Sequence, residues 1–171
     1  ITTAAHLFEA EAPNRQSYYP SMIFLFAGVL LLAPGLFVLL AILPHLIEWV
    51  KARIARTAHL RAWYIQPFNI ACHIVAGLSA GWIYYGMIGA TWLFHSATSV
   101  IAATLAALTY VMLNHMMVGL ALVLARGISW RESGVLDLEN LLPDFVNLCL
   151  GYIVAIFWMI NFWLILPVLS P

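Results

Sequence analysis

Residues 62–125 read AWYIQPFNIACHIVAGLSAGWIYYGMIGATWLFHSATSVIAATLAALTYVMLNHMMVGLALVLA, sixty-four in a row without Asp, Glu, Lys or Arg, bounded by Arg61 and Arg126. In water such a stretch would present a large apolar surface, which aggregates. In a bilayer it is the cheap choice, because a charge at mid-membrane costs roughly 2.5–3.5 kcal/mol on insertion scales. Two more uncharged runs, 16–47 and 145–171, flank it. The chain is a polytopic membrane protein: an all-α transmembrane bundle of about five helices (four to six) plus a short interfacial helix.

Composition agrees. Hydrophobic residues make up 64% and charged residues 8% of the 171, with mean hydropathy +0.97, against about 25% charged in soluble domains. Seven basic and seven acidic residues balance, so nothing points to a nucleic-acid partner. Cys72 and Cys149 lie inside apolar helical patterns and read as small buried hydrophobes, not as a disulfide or a metal pair. No CxxC, HExxH or P-loop is present, so no catalytic residue and no metal site is expected. Residues 1–18 form an N-terminal interfacial segment and 19–171 the transmembrane domain. The opening Ile1 and the apolar ending WLILPVLSP fit a segment of a longer protein.

A spanning helix needs about 20 apolar residues. Tyr18–Val50 is long for one span and carries Pro34-Gly35, a breaker pair. The pattern predicts a short helix from Tyr19 to Ala33, a turn, and a second helix from Pro34 to Arg56; one long kinked helix is the alternative. Residues 51–66 form a basic, aromatic-rich interfacial connection. Pro67 suits a helix start, and that helix runs to Gly86. The next covers Thr98–Ala125. Ser129-x-x-Glu132 is a capping box, opening a surface helix with Leu136, Leu138, Leu141 and Leu142 toward the membrane. Pro143 and Asp144 open the last long helix, to Trp158, and a turn near Asn161 starts another.

Lys51, Arg53, Arg56, Arg61, Arg126 and Arg131 fall on one side of this layout, and Arg15 joins them if Pro34-Gly35 is a hairpin turn. The positive-inside rule makes connections 51–61 and 126–131 cytoplasmic, in a bacterial inner membrane. Trp49, Trp63 and Trp130 mark the inner interface, Trp82 and Trp92 the outer one, with Tyr84 and Tyr85 as further anchors. Met112, Met116 and Met117 read as core filler.

Polar groups inside the membrane are costly and mark sites. The set is Asn69, His73, Ser79, Asn114, His115 and Asn147. Asn69 and His73 share a helix face. His73 and His115 are the candidate cofactor ligands, for a haem iron or a chlorophyll-type pigment, but interhelical hydrogen bonding explains them more simply. Gly77-x-x-x-Gly81, with Asn69 and Asn114, belongs to helix packing, within the chain rather than between copies. The acids Glu132, Asp137, Glu139 and Asp144 read as a solvated face. No carboxylate pair lies within the membrane, which argues against a proton-coupled transporter.

The order of FLFAGVLLLAPG, AWYIQPFNIACHIVAGLSAGWIYYGMIG, ALTYVMLNHMMVGLALVLARG and LLPDFVNLCLGYIVAIFWMINFWLILP resembles the multi-helix N-terminal membrane sensor modules of bacterial signalling proteins that carry HD-type phosphohydrolase or diguanylate cyclase domains. The likeness covers most of 20–168, with Asn69 and Asn114 at matching polar positions. No HD, GYP or GGEEF motif accompanies it, so no enzymatic activity follows. The resemblance implies a sensory or anchoring module in the lipid bilayer whose output domain is missing from this sequence. The other reading is an accessory subunit of a photosynthetic or respiratory complex, stabilising neighbouring helices or pigments among other membrane subunits.

Overall fold

The computed structural model describes residues 10–11, 17–18, 21–55, 64–89 and 96–165. Two short strands, β1 (Ala10–Glu11) and β2 (Ser17–Tyr18), pair antiparallel ahead of the helices. The helices are α1 (Ser21–Leu31), α2 (Pro34–Ala55), α3 (Ile65–Ile88), α4 (Ala97–Arg126), α5 (Trp130–Ser133) and α6 (Leu138–Ile160). A 3₁₀ turn, Phe162–Ile165, follows. Among the described residues, α2, α3, α4 and α6 are the four helices long and apolar enough to cross a membrane. The chain is an all-α integral membrane bundle.

The break between α1 and α2 is a true turn. Pro34 has no N–H to give and fits a first helical position, while the Ala33 carbonyl accepts from the amides of Leu36 at 2.9 Å and Phe37 at 3.0 Å. Gly28 faces the Leu40 side chain so closely that a methyl group there would collide with it. In one continuous helix these residues would stand ~18 Å apart, so the chain folds back on itself. With 11 residues, α1 is ~16 Å long and too short to span a ~30 Å core. It packs inside the protein instead: Met22, Leu25, Phe26, Ala27, Val29 and Leu30 are all buried.

Small residues set the spacing between the helices. On α3, Ala76 and Ala80 are buried, and on α4 Ala102, Ala103, Ala106 and Ala107 are, which permits close backbone approach. Gly77 receives the Phe37 ring of α2 and Gly81 lies against Val29 of α1. On α6, a Cβ at Gly151 would lie 2.5 Å from the Ile23 carbonyl oxygen, so α1 and α6 touch backbone to backbone. The outside is apolar: Trp82 is 79% and Leu124 75% exposed, with Leu36, Leu39 and Ile160 also outward. Met112 and Met116, expected as core, are exposed, and only Met117 packs against the core. Tyr84, expected at the interface, is completely buried, and Tyr85 donates to the Leu30 carbonyl at 2.7 Å.

Phe68 and Cys72, early in α3, share one cavity with Met117, Leu120 and Leu124, late in α4. The start of α3 and the end of α4 are therefore on one side, with the end of α2 leading into that start. Lys51, Arg53, Arg126 and Arg131 gather at this end; Arg15, Arg56, Arg61, Trp63 and Trp92 lie outside the described residues. Single cysteines replacing Arg53 and Arg131 in a cysteine-free chain, in sealed vesicles, should react with an impermeant maleimide from the same side. Reaction from opposite sides would refute the arrangement.

The connection from α4 to α6 is tightly folded. Gly127 (φ 65°) ends α4 in the left-handed conformation. The capping box forms: the Glu132 amide donates to Ser129 Oγ at 3.3 Å and the Ser129 amide to Glu132 Oε2 at 2.8 Å. The amide of Ser129, with its hydroxyl, stabilises the carboxylate and holds the Glu132 carboxyl below the usual range. This cap therefore contributes at neutral pH and fades as pH falls through that lowered value. Only four residues follow it as helix. α6 begins at Leu138, not at Pro143, with Asp137 in the N-cap position but without a side-chain cap bond. Pro143 forgoes one backbone bond in the second turn, to a carbonyl at the exposed Glu139. Leu136, Leu138 and Leu142 are exposed, whereas Leu141 packs on the core.

Candidate functional site

Among the described residues, two histidine-centred groups of polar side chains lie between mid-bundle and the basic end, and a third contact, from the Tyr152 hydroxyl to Ser99 Oγ at 3.3 Å, joins α6 to α4 near the other end. The first joins α2, α3 and α4. His45 is 4% exposed on α2 and Gln66 3% exposed at the start of α3. The Gln66 amide nitrogen donates to Glu48 Oε2 at 3.0 Å, which turns its carbonyl oxygen toward His45. That oxygen can only accept, so His45 Nδ1 carries the proton of their 2.9 Å bond. The carboxylate on α2 thus fixes an amide on α3, which fixes the tautomer of a histidine back on α2.

The His45 ring stacks on that of His73, with centroids 5.3 Å apart and planes 21° apart. His73 Nδ1 is 3.0 Å from the hydroxyl of Tyr110, which is wholly buried on α4. Phe26 of α1 meets the Tyr110 ring edge to face at 6.3 Å. Tyr110→Phe should leave the packing intact and remove one hydrogen bond from His73. The expected loss is about 1 kcal/mol, read as a lower thermal midpoint in detergent; an unchanged midpoint would deny the bond any weight.

The second group centres on His115 of α4. Its Nδ1 is 2.7 Å from the Val135 carbonyl oxygen and its Nε2 2.8 Å from Asp144 Oδ2 on α6. A carbonyl only accepts, so Nδ1–H donates to Val135. One proton then lies between Nε2 and the carboxyl: on nitrogen the pair is imidazolium and carboxylate, on oxygen it is neutral imidazole and carboxylic acid. Either way its net charge is zero, the cheap state in an apolar setting. Asp144, expected on a solvated face, is therefore a partner of this histidine, with its side chain 23% exposed.

His73 and His115 are not brought together. His73 is engaged by Tyr110 and stacked on His45, and both nitrogens of His115 are engaged, leaving neither for a metal. No group of three His, Cys, Asp or Glu able to hold a metal ion occurs among the described residues. Asn69 and Asn114 are half-buried and belong to neither group. Gly77-Leu78-Ser79-Ala80-Gly81 matches GxSxG by spelling. In hydrolases that motif is a sharp strand-to-helix turn, whereas here it lies inside α3 with its glycines seating Phe37 and Val29. It is a packing surface.

His45, Glu48 and Gln66 are not singled out by sequence pattern. A histidine three residues before a glutamate, inside an apolar helix, was the signal available. No family model matches the chain, and no curated protein or solved structure is detectably similar to it.

Proposed function

We propose that this chain is a non-catalytic membrane module with a sensory or anchoring role, lying in a bacterial inner membrane with the 51–61 and 126–131 connections in the cytoplasm. One observation supports the reading: the histidine-centred polar groups tie α2, α3, α4 and α6 together between mid-bundle and the basic end, while Tyr152 and Ser99 join α6 to α4 near the other end. Such an arrangement suits a domain that fixes or reports the relative placement of its helix ends to something attached there. The GxSxG-like run offers no hydrolase nucleophile, because Ser79 inside α3 has neither histidine nor carboxylate bonded to it among the described residues. The resemblance to sensor modules of signalling proteins points the same way.

Purification of the native protein from its own membranes tests the proposal. A homomeric species, carrying a soluble signalling domain on the same chain or a stable cytoplasmic partner, is expected. Stoichiometric recovery with pigment-bearing or respiratory membrane subunits would replace it with the accessory-subunit reading.

A further inference from the structure

We propose that His115, Asp144 and the Val135 carbonyl form a one-proton latch that holds the 128–137 connection against α4 and opens when the proton leaves. The latch works the same way whether or not the chain drives an output domain.

The connection touches α4 at two points on one face, one turn apart. At Gly119, a methyl group would collide with the Trp130 ring and the Val135 side chain, so these lie flush on the helix backbone. At His115, Nδ1–H donates to the Val135 carbonyl. Val135 is itself buried. The Ser129–Glu132 cap braces the segment internally, and the bond from Asn140 Nδ2 to the Gly134 carbonyl at 2.7 Å ties it to the first turn of α6.

Both contacts of His115 end on acceptors, and this makes the latch depend on one proton. With a proton on each nitrogen, or with the second one on Asp144, both contacts are satisfied. With that proton gone, a neutral ring has one N–H for two acceptors. If it remains on Nδ1, the Nε2 lone pair faces a carboxylate at 2.8 Å. If it moves to Nε2, the Nδ1 lone pair faces the Val135 carbonyl at 2.7 Å. One contact must open, so rising pH releases either the connection or α6 from α4.

The surroundings do not supply another proton. On α4, Tyr110 neighbours Asp144 and Cys72; on α3, His73 is engaged by Tyr110. Tyrosine and cysteine are ordinarily uncharged near neutrality. Arg131, Glu132, Asp137 and Glu139 are exposed, and among the described residues no Lys or Arg lies within ion-pair distance of Asp144.

The test uses the full chain in lipid nanodiscs. Nitrogen-15 spectra of labelled histidine, with His115 assigned by His115→Gln, should show both of its ring nitrogens protonated near neutral pH. Hydrogen exchange of 128–137, corrected for intrinsic pH dependence, should accelerate roughly tenfold or more across one titration as pH rises, the scale of a lost charge-assisted bond. Asp144→Asn should remove that titration and keep the segment protected, since an amide N–H can donate to Nε2 of a neutral ring. Equal pH profiles in wild type and Asp144→Asn, or a His115 Nδ1 without a proton at neutral pH, would overturn the latch. If Asp144→Asn does not fold, the wild-type spectra and exchange profile decide alone.

Discussion

Gly151→Val is expected to abolish recovery of folded protein from membranes, because of what the new side chain would meet. Even a lone Cβ at this position would lie 2.5 Å from the Ile23 carbonyl oxygen, 3.1 Å from Phe26 Cβ and 3.3 Å from the Ala27 nitrogen. Two of these are backbone atoms of α1, which cannot turn aside as a side-chain tip can. Overpacking usually costs about 1–3 kcal/mol where side chains adjust; where a helix must translate, the cost is at least the upper end of that range. Moving α1 also lifts Phe26 from Tyr110 and Leu30 from Tyr85. Gly151→Ala should fold with a lowered thermal midpoint. Gly86→Ala, where nothing lies within 4 Å, should be neutral or slightly stabilising, since alanine is the better helix former. Monodisperse elution of Gly151→Val at wild-type yield would show that the α1–α6 contact does not limit folding.

The membrane fold was legible because lipid forbids most alternatives. Three uncharged runs leave helices as the economical structure, and Pro34-Gly35 breaks the first run where the chain does turn. The capping box at Ser129 was readable for a simpler reason: its bonds are local. Legibility failed where both faces of a helix are apolar. Met112 and Met116 face outward and Tyr84 inward, yet nothing in their spacing says so, because core and lipid select the same residue types. The start of α6 is not legible because Pro143 is a good first residue, while the start at Leu138 depends on the fold of the preceding connection, where the Asp137 amide donates to the Gly134 carbonyl. The polar groups divided similarly. His73 and His115 stood out as costly residues. Their partners came from elsewhere: Tyr110 lies 37 residues from His73 and Asp144 29 from His115. Asp144 looked like a helix-start acid until the fold set it beside an imidazole.

That last pairing makes His115→Ala the second large effect. The substitution removes the donor for the Val135 carbonyl and strands the Asp144 carboxylate. Breaking a fully buried pair by deleting one member costs about 3–5 kcal/mol. Here the histidine side chain is 12% exposed and the aspartate 23%, so water partly reaches the carboxylate and the expected loss is about 2–3 kcal/mol. A cavity accounts for part of any loss at this position, so the single variant does not isolate the pair. The double variant His115→Leu with Asp144→Leu does. Both ends of the bond vanish together, no charge is stranded, and leucine refills most of the volume. Replacing both partners with apolar groups is often nearly neutral, so the double variant should be more stable than His115→Ala and than Asp144→Leu alone. Its Val135 carbonyl would still lack a donor, leaving 128–137 less protected from hydrogen exchange even as the thermal midpoint recovers. Stability and latch closure would then separate in one protein. Additive losses in the double variant would mean that the two residues do not act as a pair.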